Sequence, residues 1–251
     1  MTSQRPLLIV ITVCYNAEKT IGLTLKSVAE QTTSEFEYLV VDGASTDRTL
    51  ELVAALRRPV EVVSERDQGI YDAMNKGLDH AKGDYVWFLN AGDQFFSPDT
   101  VAQVIAQLRA NEYPDVLYGE TALVDEKGDF LRMRRLQAPE QLTWRSFQRG
   151  MLVSHQAMVV KRAIVPRYDR AFSLSADFDW AIVALQRARS IHNSHLTLAN
   201  YLSEGATTAN RSRSHSERYD IMAHYYGALP TLMWHLWFAL RFAFAALRRR
   251  L

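Results

Sequence analysis

The chain has 251 residues, 48% hydrophobic and 23% charged, so it can bury a full core and does not have the composition of a disordered protein. Its 29 basic and 28 acidic residues give a formal charge of +1, which argues against non-specific nucleic-acid binding as its main function. The single cysteine, Cys14, excludes an internal disulfide and favours a reducing, cytosolic compartment.

Strand-like and helix-like segments alternate through the first half of the chain. They are a strand at 7–13, a helix at 17–31, a strand at 36–41, a helix that Thr46 or Asp47 caps and that ends near Leu56, a strand at 60–64, a helix at 69–81, a strand at 84–89 and a helix that starts near Pro98. This alternation predicts an α/β fold with a mostly parallel central sheet and helices on both faces. The first apolar run is interpreted as a strand rather than a signal peptide because no small-residue cleavage site follows it.

The pattern changes after residue 112. Strands are predicted at 115–120, 121–131 and 154–161, with a hairpin turn at 125–128, and Ser175 is expected to cap a helix at 176–187. The polar segment 204–217 is predicted to be a mobile loop. We therefore expect one domain made of two halves, residues 1–112 and 113–215, followed by a helical segment at 216–251.

The C-terminal stretch LPTLMWHLWFALRFAFAAL, residues 229–247, is apolar almost all round and precedes three arginines. Its length is near the roughly 20 residues of a bilayer span, but Arg241 near its centre costs about 2.5–3.5 kcal/mol on insertion. The pattern favours an interfacial or re-entrant helix on anionic lipid at the inner face of the plasma membrane. The alternative is a helix buried in a homo-oligomer or in the core of the domain.

Polar or small residues follow three of the predicted strands, at Tyr15, at Asp42 and at Asn90 to Asp93. Ligands of open α/β sheets bind outside the carboxyl ends of the strands, so these positions are expected around one crevice. Asp42 can accept a hydrogen bond from a base or ribose, because the small residues after it let a planar ligand approach. Taken singly, however, each aspartate is equally compatible with an ordinary turn.

The usual phosphate-binding glycine motifs do not occur in this sequence. Neither G-x-G-x-x-G nor G-x-x-x-x-G-K-[ST] is present, so a dinucleotide-binding fold and a P-loop are not supported. The charge of a bound phosphate would therefore need a cation. A single carboxylate together with diphosphate oxygens suits Mg²⁺ or Mn²⁺.

Four segments in order, VITVCYN, LVVDGASTDRT, GDYVWFLNAGD and ADFDW, resemble the family 2 glycosyltransferases. SERDQGIYDAMNKG is similar to a bacterial subgroup that builds cell-surface polysaccharides, and the resemblance covers roughly residues 7 to 205. It implies the glycosyltransferase-A fold and an inverting transfer from a nucleoside-diphosphate sugar, UDP-linked in our prediction, to a lipid-linked or saccharide acceptor. Two alternatives stay open, a nucleotidyltransferase and a non-catalytic nucleotide-binding protein of the same fold.

The resemblance implies that residues 1–112 bind the nucleotide sugar and residues 113–215 bind the acceptor. It also implies roles for single residues. Asp177 would be the general base that takes the proton of the acceptor hydroxyl, and Asp93 would bind the cation. Asp179 is the rival base, but residues two apart on a helix do not share a face. The expected donor side comprises Val13, Tyr15, Asp42, Asp67, Lys76, Asn90, Ala91 and Gly92, and the expected acceptor side comprises His155, Gln156, Asp179 and Arg211. Asn90 and Gly92 stand where the family often has aspartates, which weakens the expected cation affinity.

Overall fold

The computed structural model describes residues 6–203 and 211–248. The strands are β1 (Leu8–Cys14), β2 (Phe36–Asp42), β3 (Glu61–Ser64), β4 (Tyr85–Phe88), β5 (Gln94–Phe95), β6 (Val116–Val124), β7 (Phe130–Met133), β8 (Met158–Lys161) and β9 (Ile191–Leu202). The α-helices are α1 (Ile21–Ala29), α2 (Thr49–Ala54), α3 (Ile70–His80), α4 (Thr100–Ala110), α5 (Ala176–Arg187), α6 (Arg211–Tyr226) and α7 (Ala228–Arg248). Two short 3₁₀ helices, Trp144–Arg149 and His155–Ala157, precede β8.

The described strands form one sheet in the order β3-β2-β1-β4-β8-β6-β9-β5, with β7 paired to β6 outside this path. The first four strands in this order are parallel, as the alternating pattern predicts. The rest of the sheet is mixed, because β8 runs antiparallel between β4 and β6 while β9 is parallel to β6. The parallel part places the carboxyl ends of β1, β2 and β4 at one edge of the sheet.

The buried strands are apolar at nearly every position, because helices cover the sheet and leave neither face to water. β1 is buried at all seven residues and β4 at all four. On α4 the predicted face of Val101, Ile105 and Leu108 is buried against the sheet. Cys14 is buried and unpaired, as expected for a chain with one cysteine.

The prediction of elements in the second half was wrong in three respects. The two strands expected at 115–120 and 121–131 are one strand, β6, and the hairpin returns as the short β7. The strand expected from Ser154 begins only at Met158, after a 3₁₀ turn. The twelve-residue β9 was not predicted, and Ile191, His192, Asn193, Leu196 and Thr197 are only partly buried on it. Its pairing with β6 supplies hydrogen bonds that a local apolar pattern does not reveal.

The expected loop at 204–217 was also wrong where the structure describes it, because residues 211–217 begin the helix α6. Residues 204–210 of that prediction lie outside the described residues. The C-terminal stretch is helical, as predicted, and forms α7. Among the helices described here, none combines the length and the apolarity that crossing a membrane requires.

Candidate active site

A tight turn after β4 carries the aspartate that the sequence predicts to bind a cation. The Ala91 N–H donates to the Val13 carbonyl at 3.3 Å, which keeps the turn against the end of β1. The Thr24 hydroxyl, from α1, accepts from the Gly92 N–H at 2.9 Å and donates to the Asp93 carbonyl at 2.7 Å. Gly92 has φ +102°, which favours glycine. The backbone that presents Asp93 is therefore fixed from both sides.

The Asp93 carboxylate is 4% exposed and is hydrogen-bonded at both oxygens. Oδ2 accepts from Gln156 Nε2 at 2.9 Å, and Oδ1 accepts from the Leu202 N–H at 3.1 Å. Burial raises the pKa of Asp93 to about 6, although these hydrogen bonds and the charge of His155 oppose the rise. The carboxyl group is therefore protonated at a pH where an exposed aspartate is fully ionised.

Asp177 lies in the first turn of α5 and faces His155. Its Oδ2 is 3.6 Å from His155 Nδ1, and its Oδ1 accepts from the Tyr71 hydroxyl at 3.3 Å. The other imidazole nitrogen, Nε2, is 3.2 Å from the Asn90 side-chain amide nitrogen. Burial by itself would raise the pKa of Asp177, but His155 and the charge of Arg218 outweigh it and lower the pKa below its ordinary value. The carboxylate is therefore ionised and able to accept a proton.

A cleft of about 500 Å³ brings these groups together. Six of the residues singled out in the sequence line it, namely Asn90, Ala91, Asp93, His155, Gln156 and Asp177. They come from the β4 turn, from the 3₁₀ turn before β8 and from α5. β8 pairs with β4, and the Trp87 indole N–H donates to the Gln156 carbonyl at 2.7 Å, which sets the 3₁₀ turn beside the β4 turn.

Four arginines that the sequence analysis did not single out also line the cleft, namely Arg132, Arg134, Arg135 and Arg218. Arg134 follows β7, and its guanidinium donates to the Met151 carbonyl at 2.8 Å. Arg218, on α6, has a buried Nε that finds no hydrogen-bond partner among the described residues, and its guanidinium lies 5.9 Å from the Phe178 ring centroid. The run Arg132-Met133-Arg134-Arg135 was a signal for the first three of these arginines. Nothing local to the sequence indicated Arg218.

Asp42 ends β2 on the far side of β1 and does not line this cleft. Its carboxylate is fully buried and accepts from the Ser45 hydroxyl, from the Ser45 N–H at 3.0 Å and from the Ser64 hydroxyl at 2.6 Å. A nucleobase can therefore hydrogen-bond to Asp42 only if it displaces one of these serines. The Cys14 thiol is 3.7 Å from the same carboxylate, and burial raises the pKa of this thiol to about 12.

The remaining donor-side residues lie around the ends of β1 to β3. A Cβ atom at Gly43 would overlap the Asp67 carboxylate, so the small residue after Asp42 makes room for Asp67. Tyr15 is 62% exposed beside this group, while Val13 is buried within β1. Lys76 is engaged by Glu65 at 3.0 Å, by Asp72 at 3.9 Å and by the Arg66 carbonyl at 2.5 Å.

The two acidic residues on α5 face different surroundings. Asp179 accepts from the Tyr225 hydroxyl at 2.7 Å, and burial raises the pKa of Asp179. It does not line the cleft that contains Asp177. Arg211 begins α6, but its side chain lies outside the described residues.

The residues around Asp93 fit a divalent cation only in part. Within residues 6–203 and 211–248, no cluster of three or more His, Cys, Asp or Glu side chains is arranged to hold a metal ion. Asp93 can supply one hard oxygen ligand, and Mg²⁺ is often held by one or two carboxylates with phosphate oxygens and water. The geometry therefore fits a cation that arrives with a diphosphate, not one held by the protein alone.

A family model and two curated relatives resemble this chain in sequence. The model described as "Glycosyl transferase family 2" matches residues 9–165. A PGL/p-HBAD biosynthesis glycosyltransferase of Mycobacterium bovis is 30% identical over 207 residues, which cover 78% of this chain and 77% of the relative. An uncharacterized glycosyltransferase of Mycobacterium tuberculosis is 33% identical over 190 residues, covering 73% and 70%.

Solved structures share the fold at lower identity. S. aureus TarS in complex with UDP-GlcNAc superposes with a TM-score of 0.67 at 23% identity, over 86% of this chain and 64% of that one. The mannosyltransferase PcManGT from Pyrobaculum calidifontis, in complex with GDP-Man and Mn²⁺, gives a TM-score of 0.58 at 18% identity, over 98% and 81%. In a longer TarS structure, this chain spans only 43% of the length.

Proposed function

The chain belongs to glycosyl transferase family 2 and has the glycosyltransferase-A fold, and from this premise we propose that it transfers a sugar, with inversion, from a nucleoside-diphosphate donor to an acceptor hydroxyl. The observation that carries the proposal is the ionised Asp177 carboxylate, held beside His155 in the same cleft as Asp93. Inversion needs one base on the acceptor side and stabilisation of negative charge on the opposite, leaving-group side.

In this proposal Asp177 is the general base. The acceptor hydroxyl attacks the anomeric carbon, Asp177 takes the hydroxyl proton, and the bond from the anomeric carbon to the nucleoside diphosphate breaks. His155 orients the carboxylate, since its second nitrogen is held by the Asn90 amide at 3.2 Å. The lowered pKa of Asp177 keeps this group in the deprotonated form that a base requires.

We propose two sources of positive charge that stabilise the departing diphosphate. Arg134 and Arg218 line the cleft with hydrogen-bond donors beyond those used within the protein, and guanidinium groups bind phosphate oxygens well. Asp93 would hold a Mg²⁺ or Mn²⁺ ion that neutralises the diphosphate when it is bound. We propose that the donor is a UDP-sugar. Its nucleotide would be bound by Asp42, Asp67, Tyr15 and Val13.

We place the reaction in bacterial cell-surface polysaccharide or glycolipid synthesis, at the inner face of the plasma membrane. The mycobacterial relative named for PGL/p-HBAD biosynthesis supports a glycoconjugate product. The apolar residues exposed on α7, such as Leu229 at 75% and Met233 at 66%, support contact with lipid.

The first test is calorimetric titration of the protein with UDP, GDP and dTDP, each with and without Mn²⁺. We expect UDP to bind and Mn²⁺ to strengthen the binding, and we expect Asp93→Ala to abolish the strengthening. Equal affinity for the three nucleotides would contradict the UDP donor class, and no binding of any of them would contradict the proposed function.

The second test asks whether Asp177 is the base. Removing a general base typically slows a reaction by about 10²–10⁴-fold, so Asp177→Asn should lower the rate of sugar transfer or donor hydrolysis by that factor while nucleotide binding persists. Asp179→Asn is the matched control, because Asp179 lies two residues away on the same helix and faces Tyr225. A larger loss in the control than in Asp177→Asn would reverse the assignment.

A further inference from the structure

An apolar groove of about 840 Å³ lies between α7 and the segment that leads into β8. It is lined by Leu136, Arg149, Leu152, Pro230, Met233, Trp234 and Trp237. Arg149 is the one charged residue in this lining and is itself exposed, so the walls offer water few hydrogen-bond partners. A cavity of this size and character suits a largely hydrocarbon ligand.

The groove adjoins the cleft that holds Asp177. Leu136 lines both cavities, while the consecutive residues Met151 and Leu152 line the cleft and the groove respectively. The two cavities therefore share one wall. Leu136 marks the boundary that a molecule with a hydroxyl near Asp177 would pass to place its other end in the groove.

The outer face of α7 continues the apolar surface beyond the groove. Leu229, Leu232 and Leu236 are exposed by 75%, 50% and 58%, beside Met233 at 66%. Contiguous exposed apolar residues mark interaction sites more often than free surface. An amphiphilic substrate is compatible both with lipid contact at this surface and with a cavity that adjoins the cleft.

We propose that the groove binds the hydrocarbon chain of an amphiphilic acceptor whose polar end carries the hydroxyl that Asp177 deprotonates. This inference rests on the proposed function and narrows its acceptor from any saccharide to a lipid-linked one. A free saccharide would not bind in the groove, because its hydroxyl groups would lose their hydrogen bonds to water there and gain few hydrogen-bond partners. A bilayer surface and a second copy of the chain are the rival occupants.

The test measures how binding depends on chain length. Calorimetry with n-hexyl and n-decyl β-D-glucoside, below their micelle concentrations and with UDP present, reports on the groove without knowledge of the natural acceptor. Each buried methylene is worth up to about fourfold in affinity, so the four extra methylenes of the decyl chain can tighten binding by up to about 250-fold, and we expect a gain of at least about tenfold. Equal affinity for the two glucosides would overturn the proposal.

A pair of adjacent exposed residues supplies the matched variants. Met233 lines the groove and Leu232 does not, and both are at least half exposed, so neither substitution threatens folding. Met233→Glu should remove the tenfold preference for the decyl chain, whereas Leu232→Glu should keep it. A decyl glucoside brominated along its chain should quench tryptophan fluorescence in the Leu232→Glu protein and not in Met233→Glu.

The remaining measurements separate the rival outcomes. If both variants lose binding to phosphatidylglycerol vesicles equally and neither changes the decyl preference, the face is a membrane contact and the proposal fails. If light scattering shows a dimer that only Met233→Glu dissociates, the groove is an interface between copies and the proposal fails. UDP titration is carried out on every variant. If the wild-type protein binds UDP but shows no chain-length preference, the proposed acceptor binding in the groove is wrong, while the proposed function is not contradicted.

Discussion

Asp93 has a buried carboxyl group whose protonation should be visible in the stability of the protein. Its pKa in the folded state is about 6, raised from 3.8 by burial. A group whose folded pKa is raised contributes stability that is fully present below the unfolded pKa and is lost as the pH rises through the folded value. The full difference is about 3 kcal/mol, since one pKa unit corresponds to about 1.36 kcal/mol.

We therefore expect the free energy of unfolding of the wild-type protein to fall by roughly 1–2 kcal/mol more than that of Asp93→Asn between pH 5 and pH 8. Urea denaturation of both proteins in chelator-treated, nucleotide-free buffer measures the difference. Other titrating groups are common to the two proteins and cancel in the comparison. Parallel pH profiles would show that Asp93 is ionised in both states.

At the scale of single elements, the turn after β4 depends on a glycine. A Cβ at Gly92 would lie 3.0 Å from Leu202 Cδ2, and φ +102° is strained for any side chain. Strain of this kind costs about 1–3 kcal/mol, so Gly92→Ala should lower the free energy of unfolding by that amount and weaken cation-dependent nucleotide binding by moving Asp93.

The control for Gly92→Ala is Gly22→Ala on α1. Apart from its chain neighbours and the backbone of α1 itself, no atom lies within 4 Å of a Cβ built at Gly22, and alanine is favoured over glycine inside a helix. Gly22→Ala should therefore stabilise the protein by about 0.5–1 kcal/mol, as read from thermal or chemical denaturation. If Gly92→Ala is also stabilising, the turn does not hold the conformation described here.

Glu217 joins α6 to the start of α5, close to Asp177. From α6, its carboxylate accepts the N–H groups of Ser173, Leu174 and Ser175 at 3.1, 2.8 and 3.0 Å, just before the helix that carries Asp177. Burial would raise the pKa of Glu217, but these hydrogen bonds outweigh it and lower the pKa. Its stabilising contribution is therefore present at neutral pH and is lost as the pH falls through the lowered pKa.

Replacing Glu217 with Gln should lower the free energy of unfolding by about 1–3 kcal/mol at pH 7, because one amide cannot accept all these hydrogen bonds. Denaturation at pH 7 measures this. Arg213→Ala is the control: its guanidinium lies 3.5 Å from Glu217 but is 70% exposed, and such pairs contribute about 1 kcal/mol or less. Equal losses of stability in the two variants would mean that the exposed ion pair, rather than the hydrogen bonds from residues 173–175, holds α6 in place.

At the scale of the whole molecule, cation binding should depend on the nucleotide. The described residues offer two carboxylates at the cleft, Asp93 and Asp177, and no cluster of three metal-binding side chains. We expect EDTA to leave the Tm of the nucleotide-free protein unchanged and to reduce the rise in Tm that UDP and Mn²⁺ together produce. Ligand at 100 times its Kd stabilises the folded state by about 2.7 kcal/mol, which a thermal melt resolves. A fall in Tm with EDTA alone would reveal a metal site that the protein builds by itself.

The local hydrophobic pattern was sufficient to predict the strands and helices whose apolar residues are buried in the core. β1, β2 and α3 lie within a few residues of their predicted bounds, because a buried strand and an amphipathic helix each carry their period in the sequence. The four motifs also identified the family, since short segments in a defined order are a property of the sequence alone. Asn90, Ala91 and Asp93 line the cleft for a related reason, since they follow a parallel strand whose carboxyl end lies at the ligand-binding edge of the sheet. His155, Gln156 and Asp177 reach the same cleft from the 3₁₀ turn before β8 and from α5.

The sequence by itself therefore determined the α/β class, the family and the positions of Asp93 and Asp177. Only the tertiary structure decided which groups surround them. β9 is partly polar and exists because β6 pairs with it, and Arg218 reaches the cleft because Glu217 fastens α6 to the start of α5. These arrangements depend on contacts between residues far apart in the chain. Such contacts repay the entropy of ordering each segment only when its partner is already in place, so no local pattern records them.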